Sequence, residues 1–196
     1  MLFLAGKKHL FIGFGGLASQ SAATLLARGD QVVGVSRSAA KVVPGITHWL
    51  GDARSAAMLE RIAAEHFDTV VITLSPDGRG PEAYRASYYD TSAALLGAWH
   101  NAARPPARII FISSTSVYGQ VDGEVVDEFS PTTPSADTAK ILCETEALFF
   151  ESPLPTTVLR FSGIYGPGRD YLLRQVRAGK GGSDDYTNRI HVYDCC

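Results

Sequence analysis

The feature that most constrains this chain is Gly13-Phe14-Gly15-Gly16-Leu17-Ala18, because of what stands on either side of it. The apolar run His9-Leu10-Phe11-Ile12 precedes it, and residues 18–28 follow with helix-like composition. A strand that enters a tight glycine turn and leaves as a helix directs several backbone N–H groups at one point, where the helix dipole also favours an anion. A pyrophosphate suits that point. Read as G-x-G-x-x-A, Gly13 permits the turn, Gly15 lets a phosphate approach the main chain, and Ala18 is small enough for close helix-to-strand packing. The candidate cradle is therefore Gly13, Gly15, Gly16, Leu17 and Ala18.

Downstream, β-branched runs alternate with helical ones. Residues 31–36, 46–50, 69–74, 108–112 and 156–161 read as strands. Residues 55–65, 82–103 and 171–178 read as helices, as does a segment starting at Thr133-Pro134-Ser135 that carries Asp137 early and Lys140 one turn in. This alternation predicts an α/β fold with a doubly wound parallel sheet, the Rossmann arrangement, in which ligands bind beyond the carboxyl ends of the strands. At 196 residues one such domain is expected.

Those carboxyl ends supply the other candidates. A carboxylate about 20 positions past the glycines would hold the adenosine ribose of NAD, and a cation there would accommodate the 2′-phosphate of NADP. The second strand ends in Ser36-Arg37-Ser38, while Asp30 lies in the turn before the strand, at the opposite end of the sheet. This favours NADP, with NAD the alternative; a solvated loop cation is the plainer role for Arg37. Asp52, followed by Ala53, either caps the next helix or accepts from an adenine amino group, as in related dinucleotide folds. Leu74 and Ser75 open a Pro/Gly-rich stretch to residue 81 that should border the cofactor. Ser113-Ser114-Thr115-Ser116-Val117-Tyr118 follows the fifth strand, its hydroxyls either facing a ligand or bonding their own backbone. After Phe161, the glycine-rich exit through Gly163 and Ile164 is placed to lie against a nicotinamide.

The charge balance, 18 Lys and Arg against 20 Asp and Glu, offers no basic field for nucleic acid or an anionic membrane. Cys143, Cys195 and Cys196 form no C-x-x-C motif, so no metal is expected. The apolar opening of residues 1–6 is followed, not preceded, by Lys7 and Lys8, the wrong order for a signal peptide. With no long apolar run, a cytoplasmic protein is expected. Tyr84, Tyr88, Tyr89, Leu95, Leu96 and Trp99 read as core or as a surface for a second copy of the chain.

Taken together, GFGGLA, SSTSVYG, the helix with Lys140, LRFSGIYGPGR and TNRIHVYD resemble the extended short-chain dehydrogenase/reductase superfamily, in its NAD-dependent epimerase/dehydratase branch. Gly13 and Gly16 also match the first two glycines of that superfamily's G-x-x-G-x-x-G spacing, with Ser19 in place of the third. The resemblance implies an NAD(P)-binding Rossmann domain over residues 1–196, with residues 162–196 starting a substrate-binding part that often takes a nucleotide sugar. It also implies hydride transfer assisted by a hydroxyl, a tyrosine and a lysine in Y-x-x-x-K spacing. Ser114 matches the hydroxyl and Lys140 the lysine, which would also hold the nicotinamide ribose. The tyrosine position is Ala136, with Tyr118 or Tyr165 a poorly placed substitute, since neither has the lysine one helical turn away.

The chain therefore departs from the pattern it resembles. Loss of a general acid costs roughly 10²–10⁴ in rate. The family segment around residues 189–194 usually leads into more of the substrate lobe, so that lobe is expected to be largely missing and apolar surface on the last strand and helix to be uncovered. The expected function is an NAD(P)-binding oxidoreductase or nucleotide-sugar epimerase with an atypical site. The alternatives are an inactive NADP-binding sensor or interaction protein, or a truncated, nonfunctional homologue.

Overall fold

The computed structural model describes residues 6–38, 43–180, 182 and 186–196. Residues 1–5 of the opening apolar stretch lie outside the described residues. Six strands form one parallel sheet: β1 Lys8–Ile12, β2 Gln31–Ser36, β3 Thr47–Leu50, β4 Thr69–Ile72, β5 Ile109–Ser114 and β6 Thr156–Phe161. Their order is β3-β2-β1-β4-β5-β6. The chain starts in the middle and winds outward twice, so the switch point lies between β1 and β4.

The helices α1 Gly16–Ala27, α2 Ala56–Ala64, α3 Pro81–Tyr84, α4 Thr91–His100 and α5 Asp137–Glu151 make the crossovers. β1 and β2 are buried almost end to end, as parallel strands covered on both faces must be. The two faces separate by period two. Leu10, Ile12, Val70, Ile72, Ile109 and Phe111 join Met58, Ile62, Leu95, Trp99, Leu142 and Phe149 in one cluster, which packs α2, α4 and α5 against the sheet. Phe11 and Val32 point the other way, onto Ala18 and Ala22 of α1. Phe111 and Phe149 stack with ring centroids 4.8 Å apart. At the edge, β6 alternates between part-buried and exposed positions, as expected with a neighbour on one side only.

Several boundaries differ from the sequence expectation. The helix expected over residues 82–103 is not continuous: a π-helical turn, Arg85–Asp90, separates α3 from α4. Tyr88 on that turn packs against the core, where burial pushes its phenol up to about 12. The segment at 133–135 does not begin the next helix, because α5 starts at Asp137 with Ala136 as its N-cap. Ser113 and Ser114 belong to β5 itself, held in register with Arg160 and Phe161 of β6.

A small second sheet was not foreseen. β7 Gly163–Tyr165 pairs in parallel with β8 Arg189–His191, on either side of α6 Tyr171–Arg177. Tyr171, Leu173 and Val176 of α6 are exposed, as is Leu159 of β6 to a lesser degree, so the last strand and helix do carry uncovered apolar surface. No helix among the described residues is long and apolar enough to cross a membrane.

Candidate functional site

The turn after β1 is built largely by backbone geometry. Gly13 has φ +88°, and a side chain there would come within 2.7 Å of the Thr73 carbonyl oxygen. Thr73 closes this approach by donating its hydroxyl to the Gly13 carbonyl at 2.6 Å and its amide to the Ile12 carbonyl at 2.8 Å. The amides of Gly13 and Phe14 both donate to the Val35 carbonyl at 3.0 Å, which ties the turn to β2. Phe14 sits over Gly34, where a β-carbon would lie 2.4 Å from the ring.

Gly15 caps α1 in an extended conformation, and a β-carbon there would meet nothing within 4 Å. The first bond inside the helix runs from the Ser19 amide to the Gly15 carbonyl at 2.9 Å. The amides of Gly16, Leu17 and Ala18 therefore precede the intrahelical ladder, the condition that makes a helix N-terminus a donor cluster. Open space above Gly15 and donors behind it fit a dinucleotide pyrophosphate.

Above this turn opens a cleft of about 380 Å³. Of the expected residues, Gly13, Gly15, Ser36, Arg37, Asp52, Ala53, Leu74 and Ser75 all line it. The loop after β4 contributes Asp77, and the π-helical turn contributes Ala86 and Ser87. The extra residue in that turn leaves the Ala86 carbonyl to accept from the Thr91 hydroxyl at 3.1 Å and from Arg54 Nη1 at 3.3 Å.

The charged wall is paired. Arg37 and Asp77 meet through both nitrogens and both oxygens, with Nη2 2.5 Å from Oδ1. The Arg37 guanidinium holds the Asp77 carboxyl below the usual range, and Asp77 in turn raises Arg37. Asp52 accepts from Arg54 at the backbone amide, 2.8 Å, and at Nη2, 3.0 Å, and these bonds lower its carboxyl. Asp52 is not the cap of α2. Ser55, one residue before the helix, takes that role by accepting from the Met58 amide at 3.4 Å. Three residues intervene between Asp52 and the first helical position, too many for a capping side chain.

The catalytic candidates lie elsewhere and face one another less. Ser114 Oγ accepts from the Ser116 amide at 3.1 Å and caps the short 3₁₀ turn Thr115–Val117, the backbone role foreseen as the alternative to ligand contact. Lys140 is exposed, and its Nζ donates to Asp137 Oδ1 at 2.8 Å. Its amide bonds the Ala136 carbonyl at 3.0 Å, so Ala136 does stand one turn before the lysine, as the Y-x-x-x-K comparison requires. Ser114, Lys140, Gly163 and Ile164 are not among the described residues that line the cleft.

Tyr118 is engaged in a network that sequence reasoning missed. Its hydroxyl donates to the Asp127 carbonyl at 2.8 Å and accepts from Arg160 Nη1 at 2.9 Å. Arg160 forks onto buried Glu146, with Nη2 2.7 Å from Oε2 and Nε 3.1 Å from Oε1, and Ser113 donates to the same Oε1 at 2.6 Å. Glu146 raises Arg160 further above its already high range. Tyr118, Arg160 and Phe161 line a second depression of about 590 Å³, which shares no lining residue with the first among the described residues. One signal for this network was available: Glu146 falls on the apolar stripe of Leu142 and Phe149, where a carboxylate needs a partner.

The model of the NAD dependent epimerase/dehydratase family matches residues 12–179. Protein YeeZ of Escherichia coli K12 is 34% identical over 200 residues, covering 96% of this chain and 70% of YeeZ. The chain belongs to the NAD-dependent epimerase/dehydratase family. A Methylobacillus flagellatus structure assigned to the NAD-dependent epimerases/dehydratases superposes with a TM-score of 0.80 at 33% identity, over 96% of this chain and 66% of that one. MoeE5, solved with UDP-glucose and NAD, is 25% identical with a TM-score of 0.79, over 95% of this chain and 68% of its own. The chain thus spans about two thirds of these family members' length.

Proposed function

We propose that this chain is a nicotinamide-dinucleotide-binding member of its family, with NADP the preferred form and an atypical catalytic side. The observation that carries the reading is the cleft itself, in which the Gly13–Gly15 turn, Arg37, Asp52 and the exit of β4 share one cavity at the switch point. The turn and the first amides of α1 would take the pyrophosphate. Arg37 would take a 2′-phosphate, Asp52 and Ala53 the adenine, and Leu74 and Ser75 the adjoining ribose. A bound nicotinamide supplies or accepts a hydride; the chain's own groups orient it and exclude water. The resemblance adds Phe161, Gly163, Ile164 and Lys140 at the nicotinamide end.

The reading of weak or absent turnover is supported by four observations. Ala136 carries no proton, Ser114 is bonded to its own backbone, and Lys140 is paired with Asp137. Tyr118 is bonded to Arg160 and Asp127, without the lysine that the family pattern requires. Binding of MoeE5 to UDP-glucose and NAD supports a nucleotide sugar as the substrate class. The test is titration of the full chain with NADPH and NADH by cofactor fluorescence. Both bind, NADPH more tightly, and Arg37→Ala weakens NADPH far more than NADH. Equal losses refute the 2′-phosphate role, and no binding of either at millimolar concentration refutes the cofactor reading.

A further inference from the structure

Arg37 and Asp77 are 40 residues apart, in loops that leave strands that do not touch. Arg37 follows β2 and Asp77 follows β4, with β1 and its glycine turn between them. Neighbouring strands stand about 4.8 Å apart, so the two strand ends are separated by roughly 10 Å. Both side chains reach across that gap and meet above the turn, inside the wall of the cleft. The fork of the guanidinium, which would grip a phosphate through two nitrogens, grips a carboxylate instead.

We infer that Asp77 is a specificity-determining residue, a built-in competitor that occupies Arg37 in the way a 2′-phosphate would and so moderates the preference for NADP. The inference rests on the reading of this cleft as the adenosine end of a dinucleotide site. An unphosphorylated ribose leaves the Arg37–Asp77 pair intact. A ribose with a 2′-phosphate must take the guanidinium from Asp77 and then sit beside the released carboxylate, two like charges at close range. The side chains of the pair are 56% and 65% exposed, so the contact is weak and screened by salt, and an incoming dianion displaces it. The penalty therefore falls on one cofactor and leaves the other untouched.

Asp77→Asn keeps the shape and removes the charge. In the full chain, calorimetric titration with adenosine 2′,5′-bisphosphate and with 5′-AMP, which differ only by the 2′-phosphate, isolates this end of the cleft from the nicotinamide. Asp77→Asn tightens the 2′,5′-bisphosphate by roughly threefold to tenfold, leaves 5′-AMP within about twofold, and loses most of its effect in strong salt. Arg37→Ala removes the difference between the two fragments, with or without Asp77→Asn. If Asp77→Asn leaves the ratio of the two affinities unchanged while wild type binds both, the inference falls and the cofactor reading stands. If wild type binds neither fragment, both fall.

Discussion

The two sides of the sheet's carboxyl edge are organised in opposite ways. Around β1, β2 and β4 the backbone turns back on itself and leaves space, and the cleft's charged groups stand at its rim. Around β5, α5 and β6 the polar side chains are bonded to one another: Ser113 and Arg160 to Glu146, Tyr118 to Arg160, Ser114 to its own turn, and Lys140 to Asp137. The first side depends on glycines and main-chain amides, so it survives changes in side chains. The second depends on particular functional groups, each bonded to a named partner, so a single substitution there removes a bond that the backbone cannot replace.

The comparison breaks most sharply at Glu146. Glu146→Ala leaves Arg160 and Ser113 beneath the surface without their acceptor, and should cost roughly 3–5 kcal/mol of stability in denaturant unfolding. The folded fraction should bind NADPH as wild type does. A parallel loss of affinity would show that the two sides are coupled.

Restoring the missing acid is the next largest effect. Ala136 is exposed at the N-cap of α5, so a tyrosine there meets no packed wall. Ala136→Tyr should raise turnover with nucleotide sugars or carbonyl compounds by about 10²–10⁴ over wild type, and Lys140→Ala should abolish the gain. A rate that stays at the wild-type level refutes Ala136 as the missing acid.

Gly13→Ala tests the other side. With φ at +88° and the Thr73 carbonyl in the way, it should cost about 1–3 kcal/mol of stability and most of the cofactor affinity. Retained NADPH binding in titration would show that the turn is not the phosphate cradle.

The smallest effect lies at the far end of β1. Burial there works to raise the Asp30 carboxyl, but the bonds from the Lys7 amide, 2.9 Å, and from His9 outweigh it, and the net shift is downward. A carboxyl lowered on folding stabilises the protein above its unfolded value, near pH 4, and the benefit is lost as the pH falls through the lowered value. Asp30→Asn should therefore lose stability at pH 7 and much less below pH 3, as read by thermal unfolding. An equal loss at both pH values would remove the carboxylate from the account.

Much of this was legible in the sequence because it depends on near neighbours. β2 and β6 have the bounds that their β-branched runs suggested, and the glycine turn sits where strand and helix composition change. The parallel sheet follows from strands that alternate with helices along the chain. What could not be read was pairing at long range. Arg37 with Asp77 and Glu146 with Arg160 join residues that only the finished sheet brings together. β7 and β8 are three residues each, too short to show a period. The π-helical turn hid inside a run whose aromatic spacing suits an uninterrupted helix equally well.

That turn has a consequence for how such a chain can diverge. The wide turn takes up one extra residue while the helix on either side keeps its phase, so deleting a single residue between Arg85 and Asp90 would convert the turn to ordinary helix without the rotation of about 100° that a deletion in an uninterrupted α-helix causes. Ala83 would keep its face and the core side chains of α4 would stay in place, so the change would fall on Ala86 and Ser87. A one-codon deletion could thus reshape one wall of the cleft locally, in a single step, while the rest of the helix held its packing.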